Sequence, residues 1–419
     1  MNFDIVQTQI INNLVSHREK SLLFTIILFF MSIFLNQTSI IFGINISFSD
    51  LFCLLLLTLI SSELKIPIKQ LVFFLILSLI VLFSSSIVVP FLFSYYPDQN
   101  KILVNYLKLV VVFVYFILGF SLSKQGFIDR VLKWYSIFGL ICAIVGIIWS
   151  IFQINFLSDL LFMEGRYKGL MNDPNYFSIV QITSLAYLSR TIKNEKLNII
   201  VWFIFLLSII VSGSKTGMVT LLIYLSIRIL EYLIKSRKNI RKLTSSIFFF
   251  LFLIIVLPLV TSKLEYLFEL ISNFTPVFSR IGLIFTDFTS AVSDDGSARD
   301  KAWGNAVKLI ELSPIFGIGV GTYSGLADFL FGKTVIAHNT YLQLAVEWGV
   351  PLTLIFYIYV IVILGKTLKI GQDNSFHGNI LRDIIIILLI GSLAISLNNA
   401  RMFWVFFGAL VNSVYYRKT

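Results

Sequence analysis

Long apolar runs recur along almost the whole chain, at roughly residues 21–36, 46–62, 70–93, 103–122, 131–153, 173–190, 197–212, 216–234, 244–261, 340–365, 380–397 and 400–416. About twenty such residues in a helix cross the hydrocarbon core of a bilayer. Inside that core every backbone donor and acceptor must be satisfied by the chain itself, which leaves helices as the structure for runs of this length. Hydrophobic residues make up 57% of the chain and charged residues 13%, whereas soluble domains are about one quarter charged. The expected fold is therefore an all-α, polytopic integral membrane protein with about twelve spans and no internal repeat.

The charge pattern orients the chain. The formal net charge is +11, but the cations gather in one set of short loops, among them Lys65/Lys69, Lys124/Arg130/Lys133, Arg190/Lys193/Lys196 and Arg228 to Lys242. Cytoplasmic loops collect Lys and Arg in this way, so the excess reads as membrane topology and not as a nucleic-acid surface. Both termini are expected in the cytoplasm. The loops around 155–172 and 262–338 then face outward. Three parts follow: transmembrane helices over 1–261, an extracytoplasmic loop with short helices over 262–338, and transmembrane helices over 339–419. Residues 1–20 carry no cleavable signal. Phe3, Val6, Ile10 and Leu14 have the spacing of a short helix lying on the membrane. Cys53 and Cys142 sit far apart in apolar runs and read as free, buried thiols. Three histidines without a Cys/His cluster give no sign of a metal site.

The large outer loop has its own pattern. Ser293 to Ser297 form a turn, and Ala298 to Leu312 read as a helix with Trp303, Val307 and Ile310 on one stripe. Ser313-Pro314 ends it. Gly317, Gly319 and Gly321 lack the spacing and the strand–helix context of a dinucleotide fingerprint and read as a flexible, closely packed loop. Ser212-Gly213-Ser214-Lys215-Thr216-Gly217 looks like the tail of a phosphate loop, but Ser214 separates glycine from lysine and no strand precedes it. An NTPase is excluded.

What remains is a set of cations beside apolar spans: Arg166, Lys168, Lys215, Arg280, Arg299 and His338. Snorkelling to lipid headgroups accounts for Lys168. Arg166 precedes Asp173-Pro174, a helix start with an acidic cap and proline in the first turn. Free amides and a guanidinium at such a place favour an anion. Arg299 shares a helix face with Trp303, four residues on, either to stack on the indole or to hold a phosphate. His338 opens the next membrane helix and has the chemistry of a general base near neutral pH. On an ideal helix it lies about 180° and ~13 Å from Glu347. Glu347 instead shares its face with Gln343 and Thr340, ahead of an expected kink at Trp348-Gly349-Val350-Pro351.

Three stretches together resemble the O-antigen polymerase and O-antigen ligase superfamily of membrane glycosyltransferases. They are Gly165 to Gly169 with Asn172-Asp173-Pro174-Asn175; Ser212 to Gly217; and Ser297-Ala298-Arg299 through Trp303, Ser313 to Gly319, His338 to Gln343 and Glu347-Trp348-Gly349. The resemblance runs over about residues 165–351. It implies a GT-C-like fold in a bacterial inner membrane, with the active site on the outer face and no cofactor. Its substrates would be undecaprenyl-diphosphate-linked oligosaccharides, and a chain-length regulator would be a further partner. Carried over, Arg166, Lys215 and Arg299 hold the diphosphate, with Arg280 a weaker member of the set, and His338 activates the acceptor hydroxyl. The family usually has arginine where this chain has Lys215, which keeps the charge but loses the bidentate fork. A polymerase joining repeat units is the leading expectation. A ligase moving finished glycan to lipid A core or another acceptor shares the same motifs. A transporter or flippase would place its charges at mid-membrane, where only Lys108 and Asp50 come near.

Overall fold

The structure, a computed structural model, describes residues 22–38, 47–154, 156–236, 299–332, 337–370 and 376–415. The amphipathic segment at 1–20, the apolar run at 244–261, the loop as far as residue 298 and Arg280 lie outside the described residues. Among those described, the chain is helical almost throughout, and it is a multi-pass membrane protein.

Among the described residues, five helices have the length and hydropathy to cross a membrane: α3 (Ile68–Phe93), α4 (Gln99–Lys124), α5 (Ile128–Phe152), α8 (Lys215–Ser236), of which Lys215–Leu233 is apolar, and α12 (Val350–Ile370), of which Val350–Leu368 is apolar. Two shorter apolar helices, α1 (Leu22–Phe34) and α2 (Phe48–Leu59), precede them. The other runs give α6 (Pro174–Thr191), α7 (Glu195–Val211), α13 (Phe376–Gly391) and α14 (Arg401–Tyr415). The last part of the outer loop gives α9 (Arg299–Leu312) and α10 (Tyr323–Phe331), and α11 (Thr340–Trp348) runs up to α12. The run expected over 340–365 is thus two helices. Gly349, at φ 78°, breaks it where the kink was expected.

Close backbone approach sets the centre of the bundle. A Cβ at Gly119 of α4 would overlap the Val405 carbonyl of α14, and one at Gly408 of α14 would overlap the Phe116 carbonyl of α4. Small residues at a helix crossing are how membrane helices gain van der Waals contact without a hydrophobic driving force. Helix α6 is buried along most of its length, from Pro174 to Leu188, between α5, α7, α8 and α13. That position explains its polar residues: Tyr135 and Thr183 share a hydrogen bond at 2.7 Å between α5 and α6. Outward-facing residues such as Leu79 (71% exposed) and Ile199 (69%) are apolar, as a lipid-facing surface requires.

A second, smaller core supports the end of the outer loop. Val89 of α3, Ala306 and Leu309 of α9, Leu326 of α10 and Val346 of α11 close around Ile318. The glycine loop is packed between backbones. Ile318 N donates to Val346 O (2.8 Å) and Gly319 N to Glu347 O (3.0 Å). On its other side α3 opens into a π-helical turn at Ser84–Val88. Ser84 Oγ donates to Phe316 O at 2.7 Å and Ser85 Oγ to Val320 O at 2.9 Å. Gly319 has φ 72°, and a Cβ there would overlap Ser85 and the Val81 carbonyl, so only glycine fits.

Candidate active site

Arg166 stands in a two-stranded hairpin, β1 (Phe162–Met163) with β2 (Arg166–Tyr167), paired antiparallel with Met163 opposite Arg166. Glu164 and Gly165 both have positive φ (51° and 74°), the backbone of a tight two-residue hairpin turn. Tyr167 anchors the hairpin against α5. Burial raises its phenol well above the usual tyrosine range, with the Cys142 thiol adding to the effect. The neutral hydroxyl donates to Cys142 O at 3.1 Å.

From this hairpin the guanidinium reaches the start of α6 and the end of α7, where the chain turns into α8. Arg166 Nε donates to Ser212 O and Nη2 to Asn175 Oδ1, both at 3.1 Å. Asp173 caps α6, accepting from Asn175 N (2.6 Å) and Tyr176 N (3.3 Å), with Pro174 in the first turn, as the sequence predicts. Ser214 caps α8 by accepting from Gly217 N at 2.9 Å, and its own hydroxyl donates to Asn175 Oδ1 at 2.9 Å. Ser178 Oγ donates to Ser214 Oγ, also at 2.9 Å. Lys215 is the first residue of α8. Two helix N-termini, each the positive end of a helix dipole, thus meet around Arg166 and Lys215. The first and second stretches singled out in the sequence form one cluster.

The third stretch forms another. Arg299 is the first residue of α9. One turn on, Trp303 Nε1 donates to Ala337 O at 2.8 Å, tying α9 to the residue before His338. His338 is exposed and left-handed, with φ 46°, a conformation uncommon outside glycine. Asn339 caps α11, accepting from Tyr341 N (2.9 Å) and Leu342 N (3.1 Å). Thr340 bolts this corner to the turn after α13: its amide donates to Ser392 O (2.9 Å), its hydroxyl donates to Ile395 O (2.7 Å) and accepts from Leu397 N (2.8 Å). Gln343 donates to Glu347 Oε1 at 2.9 Å, the shared helix face expected from the spacing.

One packing contact connects the two clusters. Ile179, one turn beyond Asn175, lies against Gly391, which directly precedes Ser392. A second connection was not legible in the sequence. Arg401, at the start of α14, makes a two-point pair with Asp50 at the start of α2, Nε to Oδ1 at 3.0 Å and Nη2 to Oδ2 at 2.7 Å. Tyr115 donates to Asp50 Oδ1 at 2.9 Å. A carboxylate inside an apolar run was the only hint; its partner is 351 residues away. At the other end of the bundle Asp383 is buried among Arg190, Arg382 and Tyr224, with Tyr224 donating at 2.7 Å. Among the described residues, no three His, Cys, Asp or Glu side chains form a group that would hold a metal ion.

Residues 200–357 match the family model described as O-antigen ligase. The match likens that stretch to the O-antigen ligase/polymerase superfamily. It includes Lys215, α9 and the His338 corner, and it ends before Arg401; Arg166 lies ahead of it. No curated protein matches the chain. The match covers less than half of the chain, and it supports a membrane protein similar to the O-antigen ligase/polymerase type.

Proposed function

We propose that the chain is a polymerase that joins undecaprenyl-diphosphate-linked oligosaccharide repeat units on the outer leaflet of a bacterial inner membrane. Both termini would be cytoplasmic. The observation that carries this reading is the position of Arg166, bonded at once to Asn175 in the first turn of α6 and to the carbonyl of Ser212 ahead of Lys215.

The chemistry asks for two things. A sugar hydroxyl of the acceptor attacks the anomeric carbon of the donor glycan. A new C–O bond forms, and the bond from that carbon to the diphosphate oxygen breaks. The hydroxyl proton passes to His338, and the electron pair leaves with the diphosphate. A diphosphate is already a good leaving group, so the protein's share is to stabilise the charge that develops on it and to take up the proton. Arg166, Lys215 and Arg299, with Arg280, are assigned to the diphosphate, and this set of cations does the work without a metal ion. A chain-length regulator would act on the same polymer.

The description of the matched family favours a second reading, in which finished glycan is transferred to another acceptor such as lipid A core. One experiment separates the two. Surface glycan is run on a gel from a deletion strain carrying the wild-type gene, His338→Ala or Arg299→Ala. Polymerase activity predicts a ladder with the wild type and single capped units with either variant, at equal protein levels in the membrane. Long polymer left unattached in the deletion strain would instead establish the ligase. Normal ladders from the variants would remove the assigned roles.

A further inference from the structure

The helices that carry the Arg166 cluster are shorter than the one beside them. Helix α5 has 25 residues, α6 has 18 and α7 has 17. Contacts fix how they stand against one another. A Cβ at Gly139 of α5 would overlap Ser184 Oγ of α6, and Asn198 Nδ2 of α7 donates to Ser189 O of α6 at 3.0 Å. With a rise of about 1.5 Å per residue, these contacts put Lys133, Arg190 and Lys196 within ~2 Å of one level. All three belong to the Lys- and Arg-rich end of the bundle, where such cations mark the edge of the hydrocarbon.

From that level α5 runs ~28 Å from Lys133 to Phe152, which matches a hydrocarbon core of ~30 Å. Ile141, Ile144, Ile148, Ile151 and Phe152 are exposed along it, an apolar stripe that reaches the last turn. The partners of Arg166 do not reach so far. Arg190 to Asn175 is ~22 Å and Lys196 to Ser212 is ~24 Å. Asn175 is thus level with Ile148 and about 6 Å short of Phe152. Tilting α6 or α7 shortens their reach further. The hairpin lies beside α5 and not above it: a Cβ at Gly146 would overlap the Tyr167 ring, whose hydroxyl bonds Cys142 O. The His338 corner shares this depth. Thr340 N donates to Ser392 O, and the adjoining Gly391 lies against Ile179, one turn further into α6 than Asn175.

Irregular backbone and charge at this depth call for water. The Arg166 hairpin, the turn before Lys215 and the turn after α13 are not helical. Such backbone persists at membrane depth only where it is buried in protein or lines a water-filled cavity. Arg166 and Lys215 are half-buried and His338 is exposed, and ionisable groups at membrane depth face water. We infer that Arg166, Lys215 and His338 line the floor of a water-filled depression sunk ~6–8 Å below the hydrocarbon boundary. A phosphate meets these cations only when it is drawn below the headgroup plane, so the phosphates of the surrounding bilayer do not fill the site. The inference rests on the proposed site for its ligand and on the proposed orientation for its leaflet; the depth holds whichever reaction is catalysed.

The test measures depth and water without any substrate, so that a failed depression and a failed polymerase are separate results. Full-length protein with Cys53→Ala and Cys142→Ala is placed in phosphatidylcholine vesicles. It carries one nitroxide at a time, on Ile148→Cys, Phe152→Cys or Met163→Cys, all at exposed positions. Collisions with oxygen, which partitions into lipid, are compared with collisions with a water-soluble nickel chelate. The label at position 148 is expected to favour oxygen, and more strongly than the label at 152, one turn nearer the boundary. The label at position 163, opposite Arg166 in the hairpin, is expected to reverse that preference and favour nickel. Nickel preference at position 148 would overturn the depth, because the bilayer would then thin to meet the ends of α6 and α7. Oxygen preference at position 163 would overturn the water, since the hairpin would then lie in lipid.

Discussion

Arg166 illustrates how much geometry a single side chain carries. Its guanidinium spends one nitrogen on Ser212 O and another on Asn175 Oδ1, which fixes the plane of the group between the end of α7 and the start of α6. A lysine there keeps the charge and cannot make both bonds, because an ammonium is a point charge without a fork. Arg166→Lys is expected to lose a hydrogen bond to a charged group, roughly 1.5–3 kcal/mol, and to slow glycan assembly by about ten- to a hundredfold, read as ladder intensity at matched protein level. Lys215 gives the converse case. It begins α8 with its backbone placed by the Ser214 cap, so Lys215→Arg should retain activity; a dead variant would mean that the lysine is specifically fitted. Arg166 was legible in the sequence as a cation beside a helix start, and Lys215 as a cation beside apolar spans. Asn175 was quoted only as part of a motif. Its role as the acceptor shared by Arg166 and Ser214 depends on two loops meeting in space, which no local spacing encodes.

At the level of elements, the helices themselves were legible because apolar runs, caps and prolines are local signals. Asp173-Pro174 starts α6, Ser313-Pro314 follows the end of α9, and Gly349 divides α11 from α12, all near the expected positions. How the helices pair was not legible. The α4–α14 crossing depends on Gly119 and Gly408, which look in the sequence like any glycine in a membrane helix. Each faces the other helix's backbone, so even one methyl group must push the pair apart. Gly119→Ala is expected to destabilise the bundle by about 1–3 kcal/mol, the usual cost of overpacking a well-filled site, seen as a lower melting temperature of the purified protein. Gly365→Ala, where an added Cβ meets nothing, is the matched control and should melt as wild type. The π-helical turn in α3 is a further feature without a sequence signature. It places Ser84 and Ser85 where they hydrogen-bond the glycine loop.

On the scale of the whole molecule, the charges fall into two groups at opposite ends of the helices. Arg190, Arg382 and Asp383, with Glu231, gather where α6 ends, α8 runs out and α13 begins. Arg166, Lys215, His338 and the Asp50–Arg401 pair gather where α6, α8, α11 and α14 begin. The first end joins the Lys- and Arg-rich short loops, and in the proposed orientation, where such loops stay in the cytoplasm, the second end faces outside. This orientation underlies the proposed chemistry, because a lipid-linked glycan polymerised on the outer leaflet must meet its cations there. It is testable without any substrate. Met163 is 43% exposed at the tip of the Arg166 hairpin, whereas Cys53 is buried and Cys142 partly so. In a background with both native cysteines replaced by alanine, Met163→Cys should react in intact cells with a membrane-impermeant maleimide. A cysteine at Lys193, in the short loop between α6 and α7, should react only after the membrane is opened. Labelling of Lys193→Cys from outside, with Met163→Cys protected, would invert the protein in the membrane. The cationic site would then face the cytoplasm, and glycan assembly on the outer leaflet would be excluded.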